Sequence, residues 1–294
     1  MIAVISHDAG GAEILSSYVR RAGLNCLYVL EGPAHKIFQR KLGSIKSHSL
    51  TEAINQSDAI LCGTSWQSNI EVDAIEYARS INKHSTSFLD HWVDYQDRFI
   101  RFNKTFLPNE IVVGDTDAEI IAKKSFPDIP IKLIDNPYEQ DIRQELSALQ
   151  IHRSLNQNSI SILYICQPMS EHTLMRSGHP ISRGYIEKDA LRYFLSNSSS
   201  LGKPIGRILI RPHPSEPEGK YNWTQHEFKL PLEIGGVKTL IEEFAESDIV
   251  VGCESTEMVI ALLADKRVIS CIPPGGRPCR LPHRKITSLQ SILQ

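Results

Sequence analysis

The chain has 294 residues, with 32 Lys and Arg against 34 Asp and Glu, a formal net charge of −2. That balance excludes an electrostatic nucleic-acid binder, which needs a basic excess or a dense basic stripe. Hydrophobic residues at 41% and charged residues at 22% make a globular mixture, and the length allows one large domain or two ordinary ones.

In chain order, Ile2–Ser6 reads as a strand, followed by a Gly turn and a helix over Ala12–Ala22. Cys26–Leu30 and Ala59–Cys62 are further strands, and a helix over Asn69–Ile81 precedes the strand Ser85–Leu89. Ile111–Val113 and Ile131–Ile134 complete a first set. The polar stretch Glu145–Asn158 reads as a linker. A second series then runs through the strand Ser161–Cys166, a helix over Glu187–Leu195 and the strand Arg207–Ile210. It ends with a helix over Val237–Glu246, the strand Ile249–Val251, a helix over Ser255–Ala264 and the strand Val268–Ile272.

Near-continuous apolar strands alternating with amphipathic helices imply parallel sheets covered on both faces. The expected architecture is α/β: two doubly wound halves, residues 1–150 and 151–294. Ligands on such sheets sit at the carboxyl ends of strands, and here also in a cleft between the halves. No run approaches the ~18 apolar residues of a membrane span, and Met1–Asp8 lacks a basic leader. The six cysteines form no C-x-x-C pair, so reduced thiols, no metal and a cytoplasmic location are expected.

The dense polar clusters all fall at strand ends. After the first strand come His7, Asp8, Gly10 and Gly11, where close backbone approach and a helix N-terminus suit an anion or hydroxyl. The spacing is not G-x-G-x-x-G, so no dinucleotide fingerprint is present. Asp90, His91 and Trp92 combine a base, a hydrogen-bonding ring and a stacking surface, a set suited to a sugar. Asp115 to Asp117 matches D-x-D only by letters and reads as structural, with Asp117 capping the next helix.

The sharpest cluster is Arg211-Pro212-His213-Pro214-Ser215-Glu216. Two prolines hold the turn extended, so His213 is set rigidly where a cation and an imidazole can meet a phosphate and a leaving oxygen. Gly252, Glu254, Ser255 and Thr256 end another strand and open a helix, a ready phosphate clamp with Glu254 placed for ribose hydroxyls. The Pro- and Gly-rich run 273–283 reads as a closing surface loop that can lend Arg277 and His283. The stretch from Gln167 to the helix at Glu187 reads as a long loop, too long for mere connection.

Two doubly wound halves, with His213-Pro214 and Ser255-Thr256 in the second, resemble glycosyltransferases of the GT-B fold. Within that class the chain resembles bacterial sialyltransferases and capsule polysaccharide transferases that use CMP-activated acidic sugars. The resemblance implies that His213 contacts the donor phosphate and helps the nucleotide leave, and that Ser255 and Thr256 bind the same phosphate. It implies a nucleotide-sugar donor, a glycan acceptor, inverting transfer in surface polysaccharide synthesis, no cofactor, and at most peripheral membrane association. Those families often carry an acidic pair before the His-Pro strand. Here that place reads Ser-Leu-Gly-Lys-Pro-Ile-Gly, so the expected base moves to Asp8 or Asp90. Arg211, His213, Ser255 and Thr256 would replace a metal at the leaving phosphate. The alternatives are a UDP-sugar hydrolase, a UDP-GlcNAc 2-epimerase-like enzyme, or a non-catalytic nucleotide-sugar binder.

Overall fold

The computed structural model describes residues 1–149 and 158–294, which divide into two compact units, Met1–Asp141 and Ile142–Gln294. The expected boundary at residue 150 lies outside the described residues. The expected linker begins inside a helix, since Pro137–Ala148 is helical; the rest of it, up to residue 157, is likewise outside the described residues.

Unit 1 runs β1 (Ile2–Ser6), α1 (Ala9–Ala22), β2 (Cys26–Leu30), α2 (Gly32–Leu42), α3 (Leu50–Gln56) and β3 (Ala59–Cys62). It continues with α4 (Ile70–Ser80), β4 (His84–Phe88), a small hairpin of β5 (Ile100–Arg101) and β6 (Lys104–Thr105), and β7 (Glu110–Val113). α5 (Thr116–Ser125), β8 (Ile131–Leu133) and the start of α6 (Pro137–Ala148) complete it. The sheet is parallel, in the order β2-β1-β3-β4-β7-β8.

β1 is buried from Ala3 to Ser6, as a central strand covered on both faces must be. α1 lays Ala12, Leu15 and Val19, spaced three and four apart, against Val4, Phe38 and Phe88. The helix stops at Gly23, whose φ of 60° is the left-handed conformation that favours glycine, with Arg20 and Arg21 in the last turn. It starts at Ala9 rather than Ala12. Gly10 and Gly11 are therefore first-turn helical residues, not a turn before the helix.

Unit 2 runs β9 (Ile160–Ile165), α7 (Met169–Ser177), α8 (Glu187–Asn197), β10 (Ile205–Arg211), α9 (Trp223–Glu227) and β11 (Leu232–Ile234). Then come α10 (Leu240–Ala245), β12 (Ile249–Gly252), α11 (Thr256–Leu263), β13 (Arg267–Ser270), β14 (Ile286–Ser288) and α12 (Leu289–Ile292). This sheet is also parallel, in the order β11-β10-β9-β12-β13-β14. Counted within the unit, that is strand order 3-2-1-4-5-6, the doubly wound order of dinucleotide-binding sheets. Ile162, Tyr164, Phe194, Ile208, Val251 and Ile269 form its core.

Two sequence expectations need correcting here. The long loop after Gln167 is half helix, because α7 fills Met169–Ser177. The strand at Val268 is not the last, since β14 forms the sheet's edge beyond the Pro/Gly-rich segment. In each sheet the strand order reverses beside the first strand, between β1 and β3 and between β9 and β12. Connections leave such a point toward opposite faces and open a crevice at the carboxyl ends. Among the described residues no helix is long and apolar enough to cross a membrane.

Candidate functional site

In unit 2 the end of β10 delivers His213 on a turn fixed from several sides. Its backbone N–H donates to Glu216 Oε2 at 2.8 Å. The Glu216 carboxylate is itself fully buried and takes Tyr221 Oη at 2.6 Å and Lys220 Nζ at 2.9 Å. The Ser215 N–H donates to His213 Nδ1 at 3.2 Å, with Ser215 Oγ at 2.8 Å. An Nδ1 that accepts a backbone N–H carries no proton, so the neutral ring keeps its proton on Nε2. The His172 ring of α7 stands edge-on to it, with centroids 6.3 Å apart. Pro214 and Ser215 are exposed on the same turn.

Arg211 does not join this group. Its Nη1 reaches the buried Glu243 of α10 at 2.5 Å and the Lys238 carbonyl oxygen at 3.1 Å. Burial raises the Glu243 pKa, against the pull of Arg211, so the pair is a desolvated link between β10 and α10.

At the end of β12, Gly252 lets α11 pack close; a Cβ there would lie 3.1 Å from Met258 Sδ. Ser255 is the N-cap residue of α11, yet its side chain caps no N–H. Its Oγ is buried without a hydrogen-bond partner. Thr256 opens the helix beside it. The Glu254 backbone is bracketed by Gln167, which donates Nε2 to its carbonyl at 2.8 Å and accepts its N–H at 2.9 Å. The Glu254 carboxylate is held by Arg280, at 2.7 Å through Nη2 and 2.7 Å through the backbone N–H, and by Arg183 at 3.2 Å. Arg183 was not legible as a site residue, because it meets Glu254 only through the fold; Gln167 was legible only as the start of a loop too long for mere connection.

In unit 1 the β1 end brings His7 and Asp8 together with Ser65 from the β3 end. Asp8 Oδ1 lies 2.7 Å from His7 Nδ1 and accepts Ser65 Oγ at 2.8 Å. The His7 N–H donates to Glu71 Oε1 at 2.9 Å. Glu71 is buried at the start of α4, and its Oε2 has no hydrogen-bond partner. Burial, and then the charge of Asp8, push its carboxyl up to about 8.

Asp90 sits against the first turn of α1 and is bound by Arg98 Nη1 at 2.7 Å and Thr64 Oγ1 at 3.3 Å. A Cβ on Gly10 would lie 2.2 Å from Asp90 Oδ2. Gly10→Ala is therefore expected to push Asp90 off its partners and destabilise unit 1 by about 1–3 kcal/mol in chemical denaturation. An unchanged midpoint would mean that the carboxylate swings aside freely. Gly11 lies close to Gly63, as the strand-to-helix packing requires. Trp92 is buried, its Nε1 donating to Asp115 Oδ2 at 2.7 Å, and its N–H donates to His91 Nδ1 at 2.9 Å. It is an anchor, not an open stacking surface. The helix cap is Asp115, which accepts the Ala118 N–H at 2.7 Å, rather than Asp117.

No protein-family model and no curated protein matches the chain. Solved structures do. The UDP-GlcNAc 2-epimerase of Neisseria meningitidis, bound to UDP-GlcNAc, is similar over 92% of this chain and 81% of its own, with a TM-score of 0.58 at 11% identity. MurG of Acinetobacter baumannii is similar over 93% of this chain and 79% of its own, TM-score 0.52 at 10% identity. The fold is of the GT-B type. The glycotransferase of kitacinnamycin shares it over 92% of this chain and 79% of its own, with a TM-score of 0.52 and 10% identity. At such identity the GT-B likeness is one of fold, and the chemistry has to come from the side chains at the two switch points.

Proposed function

We propose that the chain is a nucleotide-sugar enzyme of the GT-B type, a glycosyltransferase that holds the donor phosphate in unit 2 between the His213 turn and the α11 N-terminus. The observation that carries this reading is the pairing of a rigid Nε2–H donor at His213 with an unpartnered, buried Ser255 Oγ on the same sheet edge. A phosphate offers acceptor oxygens to both, and the N–H groups of the α11 first turn add to them. In the transfer, an acceptor hydroxyl oxygen bonds the anomeric carbon while the bond from that carbon to the phosphate oxygen breaks. The hydroxyl proton goes to a carboxylate, and the neutral His213 ring hydrogen-bonds the departing oxygen through Nε2–H, stabilising the charge it takes with the bond electrons. Of the two candidate bases, Asp90 is bound to Arg98, whereas Asp8 has no arginine bonded to it among the described residues. Asp8 is therefore the proposed base.

The expected donor is a CMP-linked acidic sugar and the expected acceptor a glycan hydroxyl, without a metal. The second reading, a UDP-sugar hydrolase or 2-epimerase, is favoured by the similarity to an epimerase bound to UDP-GlcNAc. Thermal stabilisation by CMP, CDP, UMP, UDP, GDP and dTDP, with and without magnesium, separates them, because a ligand that binds only the folded state raises Tm. A metal-independent shift with CMP supports the CMP-sugar transferase. A shift with UDP alone moves the donor to UDP-sugars, and no shift with any nucleotide defeats both readings.

A further inference from the structure

We propose that Arg183, Arg277 and Arg280 form an anion subsite beside the α11 N-terminus that binds a second negative group of the donor, beyond its first phosphate. The inference rests on the nucleotide-sugar reading of unit 2. Arg183 lies between α7 and α8, while Arg277 and Arg280 lie in the segment after β13. These two segments are locked together: the Arg277 N–H donates to the Arg183 carbonyl at 2.9 Å. A Cβ on Gly184 would lie 2.5 Å from the Gly275 carbonyl oxygen, and one on Gly276 would lie 2.7 Å from Tyr185 Cδ1. The segment 273–283 is thus built against its neighbour, not merely closing the surface.

The charges do not cancel. Arg183 Nη1 and Arg280 Nη2 converge on one oxygen of Glu254, at 3.2 and 2.7 Å, and that side chain is 4% exposed. Two guanidinium groups share this single carboxylate, and the charge of a third, Arg277, is close enough to repel Arg183. Arg277 has no carboxylate partner among the described residues, and one contact leaves most of the donors of Arg183 unused. Burial lowers the Arg183 pKa, and Arg280 and Arg277 repel it further against the attraction of Glu254. One residue beyond Glu254 lies the unpartnered, buried Ser255 Oγ at the start of α11. Surplus positive charge, an unused hydroxyl and a helix N-terminus together select an anionic oxygen group. Either the β-phosphate of a nucleoside diphosphate or the carboxylate of an acidic sugar presents that chemistry to a guanidinium fork.

Calorimetric titration of the full chain tests this with inorganic pyrophosphate, UMP, UDP, CMP and a CMP-linked carboxylate sugar. Arg183→Gln and Arg277→Gln are the variants, because Glu254 keeps Arg280 in both. Arg267→Gln, exposed at the amino end of β13, is the control. The variants should weaken pyrophosphate binding roughly tenfold and leave UMP and CMP nearly unchanged, as loss of one charge-assisted contact predicts. A matching loss for UDP identifies the β-phosphate, and one for the acidic CMP-sugar identifies the carboxylate. The subsite is overturned if the wild type does not bind pyrophosphate, if both variants bind it as the wild type does, or if Arg267→Gln loses as much. Nucleotide binding that ignores the arginines would defeat the subsite and spare the functional reading. Arginine-dependent pyrophosphate binding without any nucleotide binding would do the reverse.

Discussion

Glu71→Gln is expected to remove a loss of stability that the wild type suffers as pH rises from about 4.5 to about 8. The Glu71 carboxyl is lifted from its ordinary 4.5 to about 8 by burial and by Asp8. Around it stand Asp8 and the His7 N–H from the β1 end, Cys62 from the β3 end, and Arg101, whose charge pulls the other way. The sign follows from proton counting. Between the two pKa values the folded chain keeps the Glu71 proton while the unfolded chain releases it, so ΔG of unfolding falls with rising pH. Below about 4.5 both states are protonated, and above about 8 both are ionised, so the slope vanishes at either end. The whole displacement corresponds to on the order of 5 kcal/mol. Gln keeps the shape of the protonated acid and cannot ionise, and subtracting the two profiles cancels the titrating groups that do not interact with Glu71. Urea denaturation of both proteins from pH 4 to 9 reads the difference directly. Parallel profiles would show that Glu71 titrates as an ordinary exposed acid, contrary to its burial.

Much of this architecture was readable because most of its strands are short apolar runs. The expected Cys26–Leu30 coincides with β2, at the sheet's edge, and Ala59–Cys62 with the central β3; the other central strands lie within two residues of expectation at either end, as doubly buried apolar runs allow. Two of the four edge strands of the parallel sheets, β11 and β14, escaped, while β2 and β8 were expected. β11 and β14 have three residues each, all at least partly exposed, and so lack the continuous apolar run. α2 opens on Gly32-Pro33 and buries only Ala34 and Phe38, which hides its period behind a turn signal. At the candidate site, the His213 turn was visible because both prolines are adjacent in sequence. Glu71 was not, since an acid in the first turn of a helix is the commonest surface pattern. Its meaning depends on His7, 64 residues away. The same holds for Arg183, whose partner Glu254 is 71 residues distant. Local chemistry can be read along the chain, whereas charge pairing across strand ends needs the sheet order first.

Turnover should fall about 10²–10⁴-fold in His213→Ala, the range a well-placed proton donor supplies, with stability changed by less than about 1 kcal/mol. The second half of that statement follows from the turn itself. Among the described residues the ring hydrogen-bonds only Ser215, whereas the turn is held by the backbone N–H of residue 213 on Glu216, a bond that alanine retains. Release of nucleotide from whichever donor the binding panel identifies is the measurement, with urea denaturation alongside. His213→Gln refines it. A glutamine amide can donate a hydrogen bond to the leaving oxygen but cannot give up a proton to it. Partial activity in Gln above that in Ala would mean that His213 stabilises charge on the departing phosphate by hydrogen bonding. Equal, deep losses in both would mean that the ring acts as an imidazolium that transfers its proton, which requires the Ser215 N–H to leave Nδ1. Arg211→Gln is the contrasting variant, because Arg211 is committed to Glu243; it should cost stability more than turnover. If His213→Ala keeps near-normal turnover, the phosphate-leaving role of this turn is wrong, and the unpartnered Ser255 Oγ needs another ligand.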